Sequence, residues 1–444
     1  MKLFFVSLGC DKNLVDSEKM LALLSAESIE ITDEPKDAEL IIVNTCGFIQ
    51  DAKEESIETI LEMAGYKDTA KCKALIVSGC LAQRYAEEIQ EEIPEVDAVV
   101  GTAAYDQIYD VVVKTLQGQR QIRLQELDYL PKNLTARLPS VSSYTSYIKI
   151  AEGCDKHCTY CIIPALRGPY RSVPKEEILK EAKMLADAGT KELIIVAQET
   201  TVYGIDLYGK KELPDLLERL CRIDGIEWIR LLYCYPEEIT GELLAVMKKE
   251  PKICHYLDVP IQHCSDAILK RMGRKTSRTQ LMEKIRLIRD TLPDVALRTT
   301  LISGFPGEKK EHHEECVEFV AEVKFDRLGV FAYSAEEGTP AAEFTDAVDD
   351  EIKNQWADEI MQTEQEVIFS KNEELIGKKF RVIVDGYLPE EKVYTGRTYR
   401  DTPEIDGCVF FTAPYDLMSG TFLDVVVTDA NGYDLIGEVC SEEE

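Results

Sequence analysis

A chain of 444 residues, 45% hydrophobic with only 17 prolines, is too long for one core and too apolar to be disordered, so two to four packed domains are expected. No stretch approaches the roughly 20 continuous apolar residues of a membrane span, and the opening MKLFFVSLGCDKN lacks the apolar length and cleavage site of a secretory leader, which predicts a cytoplasmic protein without membrane attachment. With 51 basic against 82 acidic residues, a net of −31, the surface repels polyanions and attracts basic partners, although such a charge would also serve solubility alone.

In chain order, KLFFVSL, ELIIVNT and KALIVSG are short β-rich runs, each followed by a helical pattern, at Leu14–Ala26, Gln50–Ala64 and Ala82–Glu91. A fourth unit runs from VDAVVG into Tyr105–Leu116. Repeated strand–helix units predict a doubly wound parallel sheet over residues 1–117. Cys10, Cys46 and Cys80 each follow directly on one of the first three strands. The carboxyl ends of parallel strands share one edge, where ligands bind, so three thiols can converge there on a metal cluster. The alternative, that each is a small buried hydrophobe, suits Cys72, Cys221 and Cys316 better than three equivalent strand ends beside glycines.

Residues 118–143, with Pro131, Pro139 and the run SVSSY, read as a linker. A second strand–helix series occupies 144–373, with strands at SYIKIAE, ELIIVAQ, WIRLLYC, YLDVPIQ, ALRTTLIS and DRLGVFAYS and helices such as Lys175–Ala188 and Thr279–Thr291. Six such units predict an open (β/α)6 barrel whose site lies at the strand C-terminal ends. Directly after its first strand comes EGCDKHCTYCIIP, in which Cys154, Cys158 and Cys161 are spaced C-x3-C-x2-C. A four-iron cluster normally takes four thiolates, so a compact trio leaves one iron open. A zinc site would need a further Cys or His pair, and within thirty residues only His157, inside the triplet, is available. Zinc and three unrelated buried thiols remain the alternatives.

Other residues of the barrel carry two readings each. Gln198 and Glu199 stand at the end of the second strand, as a ligand contact or as exposed polar residues. Gly304, in ISGFPGE, permits close backbone approach to a nucleoside or shapes a turn. Arg230 reads as a barrel-lining ion pair before a ligand contact, and His263 as a structural polar residue outside the metal sites. The stretch KRMGRKTSR, Lys270–Arg278, reads as a solvated loop before an RNA grip. After a long helix, Asp349–Leu375, the segment 374–444 holds five short strands and predicts a small antiparallel β-barrel. Residues 377–444 carry 14 acidic against 6 basic side chains, the wrong sign for gripping oligonucleotides.

The triplet, with aromatic Tyr160 before its last cysteine, resembles the C-x3-C-x-aromatic-C motif of the radical S-adenosylmethionine (SAM) enzymes. Through SLGCDKNLVDSEKM, NTCGFIQDAKEESIETIL, EGCDKHCTYCIIPALRGPYRS and TTLISGFPGE, essentially the whole chain resembles their methylthiotransferase family. Its wording is similar to the branch that modifies an aspartate of small-subunit ribosomal protein twelve. The resemblance implies a cluster-bearing methylthiotransferase domain at 1–117, a radical SAM core at 144–373 and a TRAM-like barrel at 374–444. The implied cofactors are two [4Fe-4S] clusters and SAM. Cys154, Cys158 and Cys161 would hold the cluster that chelates and cleaves SAM, and Cys10, Cys46 and Cys80 the one that delivers sulfur. The 5′-deoxyadenosyl radical would take hydrogen from the aspartate β-carbon, and a further SAM would supply the methyl group. Tyr160, Gln198, Glu199 and Gly304 are the implied SAM contacts, and the clusters rather than any side chain carry the catalysis. The implied partners are a basic ribosomal protein and an electron donor such as flavodoxin or ferredoxin; direct nucleic-acid binding is not expected to dominate.

Asp11 replaces a proline common in the family after the first cysteine, and Val173 stands where a basic residue is common. Neither removes a ligand. A tRNA-modifying relative with the same clusters is the second reading, disfavoured by the acidic terminal barrel. A non-catalytic iron–sulfur carrier or sensor is the third, and it would not require SAM-binding strand ends.

Overall fold

The computed structural model describes residues 1–131, 135–139 and 144–440, so of the run SVSSY only Tyr144 is among them. Strands β1 (Lys2–Ser7), β2 (Glu30–Ile31), β3 (Leu40–Thr45), β4 (Ala74–Gly79), β5 (Ala98–Val100) and β6 (Gln121–Arg123) form one parallel sheet in the order β2-β1-β3-β4-β5-β6. Every residue of β3 and β4 is buried, as expected of strands covered on both faces. Leu40 and Ile42 pack with Met20, Leu24 and Val111 on one face, while Ile41 and Val43 pack with Ile60, Met63 and Leu81 on the other. The edge strands β2 and β6 were not legible, because they are two and three residues long and lack an apolar run; β6 lies within the segment read as linker. The single helix expected at Ala82–Glu91 is two, Cys80–Arg84 and Ala86–Glu92, broken at Tyr85.

The second unit has the six expected parallel strands: β7 (Thr145–Lys149), β10 (Glu192–Val196), β11 (Trp228–Leu231), β12 (Ile253–Asp258), β13 (Ala296–Ser303) and β14 (Arg327–Ala332), ordered β14-β13-β12-β11-β10-β7. A short antiparallel pair, β8 (Ala151–Glu152) and β9 (Arg171–Ser172), flanks the cysteine triplet. The helix Asp11–Ala26 of the first unit packs along β7, and its Val15 joins Tyr147, Ile194 and Val196 in one buried cluster. Its polar side is buried too: Lys12, Asn13, Asp16, Ser17, Glu18 and Lys19 are all sequestered. Lys19 pairs with Glu181 at 3.2 Å, and Arg137 bridges Glu18 and Glu181.

The helix Asp350–Glu373 leads to a closed barrel of β15 (Lys379–Leu388), β16 (Val393–Thr398), β17 (Val409–Thr412), β18 (Phe422–Asn431) and β19 (Asp434–Val439). It is antiparallel except for β17 and β19, which run parallel. A closed ring of five strands cannot alternate direction all the way round, so one parallel pair is unavoidable. This barrel covers the ends where the strands of the larger barrel begin. Phe422 meets Trp228 edge-on at 4.9 Å, Arg397 reaches Glu192 at 2.7 Å, and Arg327 pairs with Asp401. No helix among the described residues is long and apolar enough to cross a membrane.

Candidate active site

The strand order of the first sheet reverses between β1 and β3, and that switch point is where a parallel sheet opens a crevice. Cys10 follows β1, Cys46 follows β3 and Cys80 follows β4, so all three stand at this edge. Asn13 fixes the frame: its Nδ2 donates to the carbonyl oxygens of Leu8 and Thr45, both at 2.9 Å. Gly9 adopts φ +90°, and a Cβ there would lie 2.9 Å from Cys46 Cβ, so only glycine lets the two loops close. The backbone of Cys46 is held by Ser56, whose hydroxyl accepts from its N–H at 3.1 Å and donates to its carbonyl at 2.9 Å. Cys80 is buried beside Cys10 and Cys46, and burial, opposed by the Arg167 guanidinium, pushes its thiol up to about 11.

The triplet lies at the C-terminal ends of the barrel strands. Backbone bonds pin its loop, Cys154 N–H to Gly168 O at 3.1 Å and Thr159 N–H to Met272 O at 2.9 Å. Cys158 Sγ is 3.4 Å from the Tyr235 hydroxyl, and Tyr160 packs edge-on against Phe305 of the ISGFPGE turn. Burial pushes the Cys154 thiol up to about 11 and Cys161 up to about 12. The two trios are neighbours: Cys80 packs against Ile162 and Leu166, immediately beyond Cys161. Lys53 and Arg84 of the first unit reach Glu336, in the loop after β14, at 2.9 and 3.1 Å, closing the same junction from the other side.

A single tetrahedral ion holds its sulfurs about 3.8 Å apart. Among the described residues only His263, Cys264 and Cys316 bring three ligand atoms within 4.8 Å of one another, so neither cysteine trio is drawn together as tightly as a single ion would hold it. The tight group is no ligand set. His263 Nδ1 accepts from Ser265 N–H at 2.9 Å and Nε2 faces Glu308 at 3.3 Å. Cys316 Sγ is 3.5 Å from both ring nitrogens, which puts it over the ring face.

Around the triplet, buried polar atoms await partners: Gln198 Oε1, Glu199 Oε2 and the Tyr170 hydroxyl have none, which suits a polar ligand. Glu199 is 1% exposed, not the surface residue a strand end commonly carries, and burial pushes its carboxyl up to about 7. Gln198 donates to Glu152 at 2.9 Å. Gly304 forms a positive-φ turn, and the space a Cβ would occupy is filled by the Lys353 side chain rather than left open to a nucleoside, so the turn is what its glycine serves. Arg230 is fully buried, pairs with Glu192 at 2.9 Å and donates to Tyr399 O at 2.7 Å, so it belongs to the opposite end of the barrel. In the basic stretch Lys270–Arg278, Arg271 pairs with Asp346, Arg274 is buried 4.3 Å over the Tyr235 ring and Arg278 reaches Glu322. Val173 lies in the barrel core. The reading of isolated motifs missed Lys149, Glu152 and Arg167, which meet Asp16 in a buried ionic group beside both trios. Their signal was Glu152 at a strand end just before the triplet and Arg167 within the run RGPYRS.

A barrel of this topology with this triplet defines a radical SAM protein, and residues 148–320 match the Radical SAM superfamily. Residues 2–101 match the uncharacterized protein family UPF0004 and 376–440 the TRAM domain. The solved structure of the radical SAM methyltransferase TsrM from Kitasatospora setae superposes with TM-score 0.57 at 14% identity, covering 77% of this chain and 73% of that one. The cobalamin-dependent SAM radical enzyme OxsB gives 0.52 at 14% identity, covering 81% and 56%; both likenesses are of fold alone. Two relatives named ribosomal protein uS12 methylthiotransferase RimO are far closer in sequence. That of Lachnoclostridium phytofermentans is 57% identical, over 98% of this chain and 99% of its own length. That of Clostridioides difficile is 50% identical, over 100% and 99%. The chain belongs to the RimO family. It is thus an enzyme of the transferase class, with SAM and [4Fe-4S] clusters as its cofactors.

Proposed function

We propose that this protein attaches a methylthio group to the β-carbon of an aspartate side chain in ribosomal protein uS12. The full-length match to RimO relatives carries the reading, and the packing of Cys80 against Ile162 and Leu166 supports it by bringing two cysteine trios to one junction. Cys154, Cys158 and Cys161 would hold one [4Fe-4S] cluster and Cys10, Cys46 and Cys80 the second, each with a position left open. When bound, these groups supply SAM cleavage, hydrogen removal and sulfur donation.

The chain's own residues bind and orient. In this reading Glu199, ionised above about pH 7, and Gln198 would receive the SAM amino group, and Tyr160, braced by Phe305, would flank the nucleoside. The seam between the units excludes water on one side through the ion pairs of Asp16, Lys149, Glu152 and Arg167.

The partners in this reading are basic uS12 and an electron donor such as flavodoxin or ferredoxin, in the cytoplasm. The terminal barrel supports a protein rather than an RNA acceptor. Two basic residues of 377–444, Arg397 and Arg400, and two acidic ones, Asp401 and Asp406, are buried in ion pairs, so the surface keeps the acidic excess of its composition. The test offers the anaerobically loaded, reduced enzyme a uS12 loop peptide beside bulk tRNA and reads both by mass spectrometry. A mass gain of one methylthio group on the peptide is expected; a gain on tRNA alone would overturn the reading.

A further inference from the structure

Arg167 belongs to the radical SAM unit in sequence, yet its guanidinium serves the cysteine trio of the other unit. It is 3% exposed. Nη1 bonds Asp16 at 2.7 Å and Glu152 at 3.3 Å, and Nη2 bonds Asn13 Oδ1 at 2.6 Å. Asn13 is the residue whose amide ties together the strand ends that carry Cys10 and Cys46. The same guanidinium lies against the thiol of Cys80, on the short helix Cys80–Arg84 that packs against the helix Ile163–Arg167. One side chain therefore acts electrostatically on the third cysteine and bonds directly to the support of the other two. On its far side, Glu152 accepts from Gln198.

We propose that Arg167 is the positioning residue of the N-terminal cluster, supplied across the domain boundary. This rests on the reading of Cys10, Cys46 and Cys80 as cluster ligands. A cluster adds negative charge to a buried site, and a fixed cation in contact with a ligand sulfur favours its more negative, reduced form. The planar fork matters as well as the charge, because only a guanidinium can bond Asn13, Asp16 and Glu152 together while facing Cys80.

The experiment uses the full chain in two backgrounds. Cys154→Ala, Cys158→Ala and Cys161→Ala together leave only the N-terminal trio; Cys10→Ala, Cys46→Ala and Cys80→Ala together leave only the triplet. Each is reconstituted with iron and sulfide, with Arg167 or with Arg167→Gln or Arg167→Lys, and iron per chain and midpoint potential are read by electron paramagnetic resonance during a redox titration. In the first background Arg167→Gln should lower the midpoint or lose iron, and Arg167→Lys should restore the midpoint at least in part. In the second background iron content should be unchanged.

Unchanged iron and midpoint in the first background would overturn the proposal. So would equal loss in both backgrounds, or insolubility of both variants, which would assign Arg167 to the fold. Were the chain with Arg167 intact to take up no cluster on the N-terminal trio, the ligand reading would fail first and the inference with it.

Discussion

The hydroxyl of Tyr233 donates to Asp11 Oδ2 at 3.2 Å, joining the end of β11 to the residue directly after Cys10. Lys12 Nζ sits 3.4 Å from the centre of the same ring. Tyr233 adopts φ +58°, a costly conformation for a side chain of its size, and such strain persists where surrounding contacts hold it. Asp11, the departure from the family's proline, thus has a role: it gives the tyrosine an acceptor. Tyr233→Phe should keep the ring under Lys12 and cost about 1 kcal/mol. Tyr233→Ala should cost roughly 2–4 kcal/mol through loss of cation–π contact and packing. Chemical denaturation measures both, and hydrogen exchange should show the added opening at residues 8–14.

Glu199 makes a pH prediction. Its carboxyl is pushed up to about 7 by burial, so in the free protein it is mostly neutral below that pH. An ionised carboxylate accepts a hydrogen bond from the amino group of SAM more strongly than a neutral carboxyl, so affinity should fall as pH drops through about 7, by up to roughly tenfold per unit below it. Glu199→Gln should bind more weakly at pH 8 and show little dependence on pH, as equilibrium dialysis of the loaded enzyme would show. For stability the sign reverses. A raised folded pKa stabilises fully below the unfolded value of 4.5, and that contribution is lost as pH rises through about 7.

The two cysteine trios should separate genetically. Cys154→Ala should abolish formation of 5′-deoxyadenosine from SAM. Cys46→Ala should retain that cleavage and lose methylthio transfer. Chromatography of the nucleoside and mass spectrometry of the peptide read the two steps independently, and methylthiolation by the Cys46 variant would remove the N-terminal trio from the mechanism.

At the opposite end of the barrel, Glu192 pairs with Arg230 at 2.9 Å and Arg397 at 2.7 Å, with no side-chain exposure of its own. Glu192→Gln leaves the buried Arg230 without an anion, while Arg397 keeps Asp385 at 2.9 Å, and should destabilise the protein by about 3 kcal/mol. Activity per folded molecule should change little, because the cysteine triplet lies at the other ends of the strands. A variant stable but inactive would contradict this division of labour.

The strands that precede the cysteines were legible as short β-rich runs; the N-terminal trio was read from its strand-end positions and the triplet from its C-x3-C-x2-C spacing. Local pattern suffices there because a strand covered on both faces must be continuously apolar. Gln50–Ala64 was found to the residue, since a solvent-facing helix with one apolar side shows its period. The helix expected at Leu14–Ala26 begins at Asp11, and the burial of its polar residues against the barrel leaves no mark in the local pattern.

Read alone, the sequence carries the chemistry of this protein: which residues are thiols, how they are spaced, and that Cys10, Cys46 and Cys80 each follow a strand of their own while the triplet follows one. Tertiary structure alone decided what surrounds them. Ion pairs such as Arg167 with Asp16 join residues 151 positions apart, and no local period records such a pairing. Placement of the terminal barrel at the strand starts, away from the cysteines, likewise depends on Arg397 finding Glu192. Buried charges are stable only with their partners, and partner geometry exists only once the chain has folded.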